Sequence, residues 1–219
     1  RTMSYSSALF ETFDEPMADA QHRKYERLAR ALDLQPGDHV LEIGCGWGGF
    51  AEIAARDFGC RVTCLTLSTE QAAYARERMR RLRLDDRVDI RIQDYRAVEG
   101  TFDKIASIEM FEAVGREYWP RYFQVLRERL KGGAKAALQI ITIADRFFDN
   151  YVKNTDFIQR YVFPGGVLPS NSVLSKLTDQ AGLRLKDIQD FGQDYARTLH
   201  EWSDRFRAAW DDIRTMGFD

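Results

Sequence analysis

The chain has 219 residues, with 32 Lys and Arg against 34 Asp and Glu, a formal charge of −2 and 44% hydrophobic residues. This composition excludes a disordered tail or a collagenous chain and predicts one soluble globular domain over residues 1–219. A chain of this size buries about 70% of the surface it exposes when unfolded, and its balanced charge draws it globally neither to nucleic acid nor to an anionic bilayer.

The cysteines Cys45, Cys60 and Cys64 form no CxxC pair and adjoin no histidine cluster, which predicts a reducing compartment and no zinc or other metal site. The longest apolar stretch, 136–144, carries Gln139 and Thr142 and falls far short of the about 20 residues of a membrane span. Opening on Arg1 with no charged and apolar leader, the chain reads as one without a signal peptide, cut from a longer protein.

Apolar runs typical of buried strands alternate with segments of helical period, so a parallel sheet covered by helices is expected. In chain order the pattern predicts a helix over 18–32, a strand over 39–43, a helix over 48–58, a strand over 61–67 and a helix over 69–82. Strands follow at 88–93 and 104–108, then a helix at 118–130 and a fifth strand at 134–143 after a Gly132-Gly133 turn. Residues 144–167 are aromatic and rich in turn formers. A helix starts near Ser172, a sixth strand is expected near 183–191, and a last helix over 196–213.

The first strand runs into Gly44-Cys45-Gly46-Trp47-Gly48-Gly49, in which Gly44, Gly46 and Gly49 match GxGxxG between a strand and a helix. Such a turn brings backbone N–H groups close to a nucleoside-type ligand at the helix start. A dinucleotide site wants an acid about 20 residues on, and Thr66-Leu67-Ser68 stands there instead, which counts against NAD. Glu42, before the first glycine, and Gln93-Asp94, ending the third strand, point to S-adenosylmethionine, suiting a sulfonium and an adenine edge. Gln71 is read evenly as a ribose ligand or as part of an S-x-x-Q capping box, and Cys45 as a small filler.

Taken in order, VLEIGCGWGGF, LTLSTEQ, QDYR, MFEAVG, YVFPGGVLPS and FGQDYARTLHEW resemble the catalytic domain of cyclopropane-fatty-acyl-phospholipid synthases and the related mycolic acid methyltransferases, over nearly the whole chain. The opening Tyr5-Ser6-Ser7 is similar to the family's Tyr-Ser-Cys element. The resemblance implies an α/β class I S-adenosylmethionine-dependent methyltransferase fold, Rossmann-like with a mostly parallel sheet, whose last strand lies outside this chain. It implies the cofactor held by Tyr5, Ser6, Gly44, Gly46, Thr66, Leu67, Gln71, Gln93 and Asp94, with Glu42 added from the reading above.

The implied substrate is an unsaturated acyl chain of a phospholipid, which receives a one-carbon unit at its double bond. A base then removes a proton so that a cyclopropane ring closes. For that step the resemblance implies a bound bicarbonate ion, held at Ser7, Glu112, Gln139, Ile141 through its backbone, and Tyr195. The commonest family pattern has Cys at Ser7 and His at Gln139; both residues here are neutral hydrogen-bond donors, and Gln cannot take up a proton. A branching methyltransferase that loses the proton without ring closure is therefore the second expectation, ahead of a small-molecule methyltransferase or a silent cofactor-binding partner. Glu112, directly after the fourth strand, is the acid on which most weight is placed.

The rings of Phe147, Phe148, Tyr151, Phe157, Tyr161 and Phe163 suit a lid-like insertion at about 144–168 that borders a lipid entrance, although most are expected to be core. Arg76, Arg78, Arg80, Arg81, Arg83 and Arg87 read first as a solvated helix face and second as a footprint on anionic headgroups. The expected setting is cytoplasmic, peripheral to the inner membrane face, with no nucleic-acid partner and a homodimer allowed.

Overall fold

The computed structural model describes residues 2–12 and 14–218. The strands β1 (His39–Ile43), β2 (Arg61–Thr66), β3 (Val88–Ile92), β4 (Phe102–Ile108) and β5 (Leu130–Gln139) form one sheet in the order β3-β2-β1-β4-β5, every pairing parallel. The helices are α1 (Met17–Leu32), α2 (Gly49–Arg56), α3 (Thr69–Leu82), α4 (Trp119–Arg129), α5 (Asp145–Tyr151), α6 (Asn171–Gln180), α7 (Gly192–Ala208) and α8 (Trp210–Thr215), with a π-helical turn at Ile158–Val162.

Strand β1 pairs with β2 on one side, from His39 opposite Arg61 to Ile43 opposite Leu65, and with β4 on the other. Chain order therefore reverses between β1 and β4, and the crevice above the carboxyl ends of those two strands is where such sheets bind ligands. Apolar side chains fill both faces. Phe50, Ile53, Val62, Met79 and Ile90 pack with α1 on one; Leu41, Ile105 and Phe111 pack with Tyr122 and Leu126 of α4 and Leu177 of α6 on the other.

Helix α1 buries Met17, Ala20, Gln21, Lys24, Tyr25, Ala29 and Leu32, a stripe at helical spacing that includes two polar residues. Helix α3 is capped by Ser68, whose Oγ accepts from the Gln71 N–H at 3.2 Å. The reciprocal half of the capping box is not made, because Thr66 Oγ1 donates to Gln71 Oε1 at 2.8 Å and accepts from the Ser68 N–H at 3.2 Å. Of the arginine run, Arg76 donates to Ile90 O at 2.7 Å and Arg78 pairs with Glu52 at 2.6 Å, so both are tied to the fold.

Five expectations need correction. Strand β5 starts at Leu130 and runs through Gly132 and Gly133, with Gly133 at φ +76° and a register shift opposite Phe102 and Lys104, so the expected turn is a bulge inside the strand. The strand also ends at Gln139, because the Ile141 N–H turns to Glu112 and the Ile143 N–H to Pro169 O at 2.9 Å. No sixth strand forms at 183–191 among the described residues; Leu185 and Ile188 are exposed there, with no neighbouring strand to complete a ladder. The last helix is two, broken at Ala209, and of the six insertion rings only Phe148 is buried, while Phe147, Phe157, Tyr161 and Phe163 are exposed.

The segment before α1 crosses the sheet's carboxyl edge as a strap between α1 and α7. Gln21 Nε2 donates to Ser6 O at 2.8 Å, the Ala8 N–H to Thr198 Oγ1 at 3.0 Å, and the Phe10 N–H to Asp194 Oδ1 at 2.7 Å. Ala8 and Thr198 are fully buried, so Thr198→Val orphans a buried N–H at little change in volume. Urea unfolding is expected to show a loss of about 1–3 kcal/mol. An unchanged midpoint would mean the strap contributes nothing to stability.

Candidate active site

The turn after β1 is fastened to β2 by the Gly44 and Cys45 N–H groups, which donate to Leu65 O at 3.0 and 2.9 Å. Gly44 lies at φ +81° and Gly46 at φ +52°, the left-handed region that favours glycine. A Cβ on Gly44 would stand 2.5 Å from Met110 Cγ, whereas one on Gly46 would meet no atom within 4 Å. The backbone at Gly46 is thus open to the crevice, as a closely approaching ligand requires.

Around this opening the carboxyl edges of β2 and β3 contribute Leu67, 72% exposed, and the half-buried Gln71, Gln93 and Asp94. Gln93 Nε2 donates to Ala97 O at 2.9 Å. Asp94 accepts from the Arg96 N–H at 2.8 Å and pairs with its guanidinium at 2.7 Å, which holds its carboxyl below the ordinary range. Tyr5, 67% exposed, stacks on Trp202 with ring centroids 5.3 Å apart. Buried Ser6 accepts from Lys24 Nζ at 2.5 Å. Glu42 lies beneath the loop, 2% exposed, with Cys64 Sγ 3.5 Å from its carboxylate, and burial pushes it well above the ordinary carboxylate range. Cys45 is a buried filler, as expected.

Beside the loop, a cavity of about 460 Å³ is lined by Ser7, Glu109, Gln139, Ile141 and Tyr195 together with the 140–145 segment and the start of α7. One oxygen of Glu109 accepts from the Ser7 N–H at 2.8 Å and from Gln139 Nε2 at 2.8 Å. Gln139 Nε2 also lies 3.3 Å from Ser7 O, and the Ser7 hydroxyl donates to Ala8 O at 3.0 Å. Glu109 is reached at φ +47°, a conformation costing a non-glycine residue about 1–2 kcal/mol.

Glu112 stands one step back. Its Oε1 accepts from the Ile141 N–H at 2.5 Å, while its buried Oε2 has no partner among the described residues. Burial pushes its carboxyl up to about 7, against the lowering effect of the Ile141 N–H. Burial raises Glu109 too, partly offset by Ser7, Gln139 and the Lys24 charge. Lys24, 3% exposed, is pushed down to about 7 by burial and donates to Gln21 Oε1 at 2.6 Å. Tyr195, in the first turn of α7, has its phenol raised by burial and by the nearby Glu109.

The structure therefore brings Ser7, Gln139, Ile141 and Tyr195 to one cavity with Glu112 behind it, and sets the glycine turn and strand-end residues around an adjoining crevice. The sequence reading missed Glu109, Lys24, Gln21 and Thr198. A second acid directly at the end of the strand, three residues before Glu112, was the available signal for Glu109. The apolar stripe of α1 was the signal for Gln21 and Lys24.

Among solved structures, the chain superposes on the cyclopropane synthase MmaA2 from Mycobacterium tuberculosis with a TM-score of 0.90 and 25% identity, covering 98% of this chain and 79% of that one. It superposes on a mycolic acid cyclopropane synthase complexed with SAH and CTAB with a TM-score of 0.87 and 28% identity, covering 94% and 76%. The fold is thereby the Rossmann-like class I methyltransferase fold. Among curated relatives, the tuberculostearic acid methyltransferase of Mycobacterium tuberculosis is 40% identical over 100% of this chain and 53% of its own length. The cyclopropane-fatty-acyl-phospholipid synthase of Escherichia coli K12 is 37% identical over 96% of this chain and 53% of its own length. The chain spans about half the length of these relatives. The family model described as mycolic acid cyclopropane synthetase matches residues 1–219, and the chain belongs to that family.

Proposed function

We propose that this chain transfers a one-carbon unit from S-adenosylmethionine to the double bond of an unsaturated fatty acyl chain carried on a phospholipid, with closure of a cyclopropane ring. The observation that carries this reading is the carboxylate-bearing cavity directly beside an open glycine turn at the switch point of the sheet. Gly46, which a Cβ would roof over, and the exposed Tyr5 and Leu67 fit a flat, partly apolar cofactor, with Thr66, Gln71, Gln93 and Asp94 as its polar edge. When bound, S-adenosylmethionine supplies a sulfonium methyl that the acyl double bond takes as its C–S bond breaks, leaving a cation on the acyl chain.

The chain's own residues then have two tasks. The half-buried Glu109 and Glu112 carboxylates and the Tyr195 ring offer negative potential where the cation develops. The strap from Tyr5 to Phe10 closes the cavity on the α1 and α7 side and fixes the Ser7 N–H. Lipid enters past residues 144–168, where the exposed Phe157, Tyr161 and Phe163 stand with Arg146, Lys153 and Arg160. This face lies against a bilayer on its cytoplasmic side. No helix among the described residues is long and apolar enough to cross a membrane.

A second reading, methyl or methylene branching without a ring, draws on the 40% identical relatives that carry the names tuberculostearic acid methyltransferase and probable fatty acid methyltransferase, the latter from Pseudomonas putida. It differs from ring closure by a hydride shift on the acyl chain before a methyl proton is lost, which gives the methylene, or by loss of a chain proton instead, which gives a methyl-branched alkene. Proton NMR of lipid recovered from monounsaturated phosphatidylglycerol vesicles decides between the two, by upfield ring protons or by vinylidene and branch-methyl signals. Saturated vesicles are expected to give no product and no SAH. Release of SAH that vesicles fail to stimulate would point to a small-molecule acceptor. Tyr161→Ala with Phe163→Ala is expected to raise KM for vesicles several-fold with kcat little changed; an unchanged KM would remove the lid from the lipid path.

A further inference from the structure

We infer that Glu109 is the chain's own proton acceptor in this site and takes the place of a bicarbonate ion. The inference rests on the acyl-methylation reading above. Of the five positions expected to hold bicarbonate, three spend a donor on carboxylates of the chain: the Ser7 N–H and Gln139 Nε2 on Glu109, and the Ile141 N–H on Glu112. A further anion there would stand against two carboxylates with these donors already committed, so the residues present do not fit bicarbonate.

Glu109 fits the task itself. Both hydrogen bonds fall on one of its oxygens, and among the described residues the other oxygen has no hydrogen-bond partner, while the residue lines the cavity. The two donors fix the carboxylate rotationally, with one oxygen held and the other free to receive a proton. Glu112 differs: its free oxygen is buried away from the cavity wall, and its bonded oxygen fixes the backbone at Ile141. Glu109 also occupies left-handed backbone, at φ +47°, where glycine would sit without strain. A strained, half-buried acid at the carboxyl end of a central strand is the kind of outlier that clusters at functional sites. In the step assigned to it, a C–H bond of the transferred methyl breaks and its electron pair forms the bond to the cationic carbon. The proton goes to the free oxygen of Glu109, leaving a neutral acid that returns the proton to water after release. After a hydride shift, the same proton loss gives the methylene product, so the assignment holds for either product.

The test uses the full chain with S-adenosylmethionine and monounsaturated phosphatidylglycerol vesicles, in carbon-dioxide-free buffer with and without added bicarbonate. Turnover of the unmodified chain is expected to be indifferent to bicarbonate. Glu109→Gln is expected to lose about 100-fold or more in kcat, the scale of a lost general base, with S-adenosylmethionine affinity by calorimetry unchanged. Glu109→Gly relaxes the backbone and opens the place of the carboxylate, so it is expected to be inactive alone and rescued by bicarbonate or formate. The resonance of 13C-labelled bicarbonate is expected to broaden with Glu109→Gly and not with the unmodified chain. Bicarbonate stimulation and binding in the unmodified chain, or full turnover by Glu109→Gln, would overturn the inference. An unmodified chain that turns over no unsaturated vesicle would instead overturn the acyl-methylation reading.

Discussion

Alanine at Gly44 is expected to abolish measurable S-adenosylmethionine binding and to lower the melting temperature, whereas alanine at Gly46 should cost affinity with far less stability. The two glycines sit on one turn and both have positive φ, so each substitution costs about 1 kcal/mol from the backbone alone. They differ in what the new methyl meets. At Gly44 it stands 2.5 Å from Met110 Cγ and 2.8 Å from Met110 Cβ, atoms too near the backbone to swing aside. Overpacking of this kind adds about 1–3 kcal/mol, so the total is about 2–4 kcal/mol. For a chain of this length that corresponds to about 5–15 °C in melting temperature. Met110 precedes the turn that carries Glu112, so the push also reaches the wall of the cavity. At Gly46 the methyl meets nothing within 4 Å and projects where the ligand must approach. Calorimetric titration with S-adenosylmethionine beside thermal unfolding separates the two effects. Native affinity in both variants would remove the turn from the binding site.

Local pattern made most of this architecture legible. The apolar runs at 39–43 and 61–66 and the stripe on α1 are each explained by burial against a neighbour, and the Gly44–Gly49 spacing by close approach at a helix start. What escaped the reading depends on partners far away in sequence. Whether 183–191 becomes a strand depends on a neighbouring strand to pair with, which no property of Leu183 or Leu185 announces. Gly132-Gly133 reads as a turn by composition, yet β5 takes in three extra residues between the pairs Phe102–Leu130 and Lys104–Lys135, with Gly133 at φ +76°, and the strand continues. The bonds from Ala8 to Thr198 and from Ser7 to Glu109 span 190 and 102 residues, and no periodicity records them. Glu109 is the instructive miss. Attention to Met110-Phe111-Glu112 as a motif passed over the acid before it, whose place at the end of β4 is the stronger physical argument.

The unfolding free energies of the unmodified chain and Glu112→Gln are expected to diverge with pH, by up to about 3 kcal/mol between about pH 4.5 and pH 7. The cause is burial, which raises the Glu112 carboxyl from the ordinary 4.5 to about 7. The native state therefore binds this proton more tightly than the unfolded chain does. The stability it contributes is fully present below the unfolded value and is lost as pH rises through the native one. Gln keeps the acceptor for the Ile141 N–H and places an uncharged group where Oε2 has no partner, so it resembles the protonated acid and has no ionisation to lose. Glu109, Glu42 and Lys24 also titrate out of their ordinary ranges in this region, and only the difference between the two proteins isolates Glu112. Part of its shift comes from the charge on Glu109, so adding Glu109→Gln to both proteins should narrow the divergence. Urea unfolding across this range reads it directly. Parallel curves would mean that Glu112 ionises as in water, and a carboxylate that free of its surroundings could not stand as a buried neighbour to the developing cation.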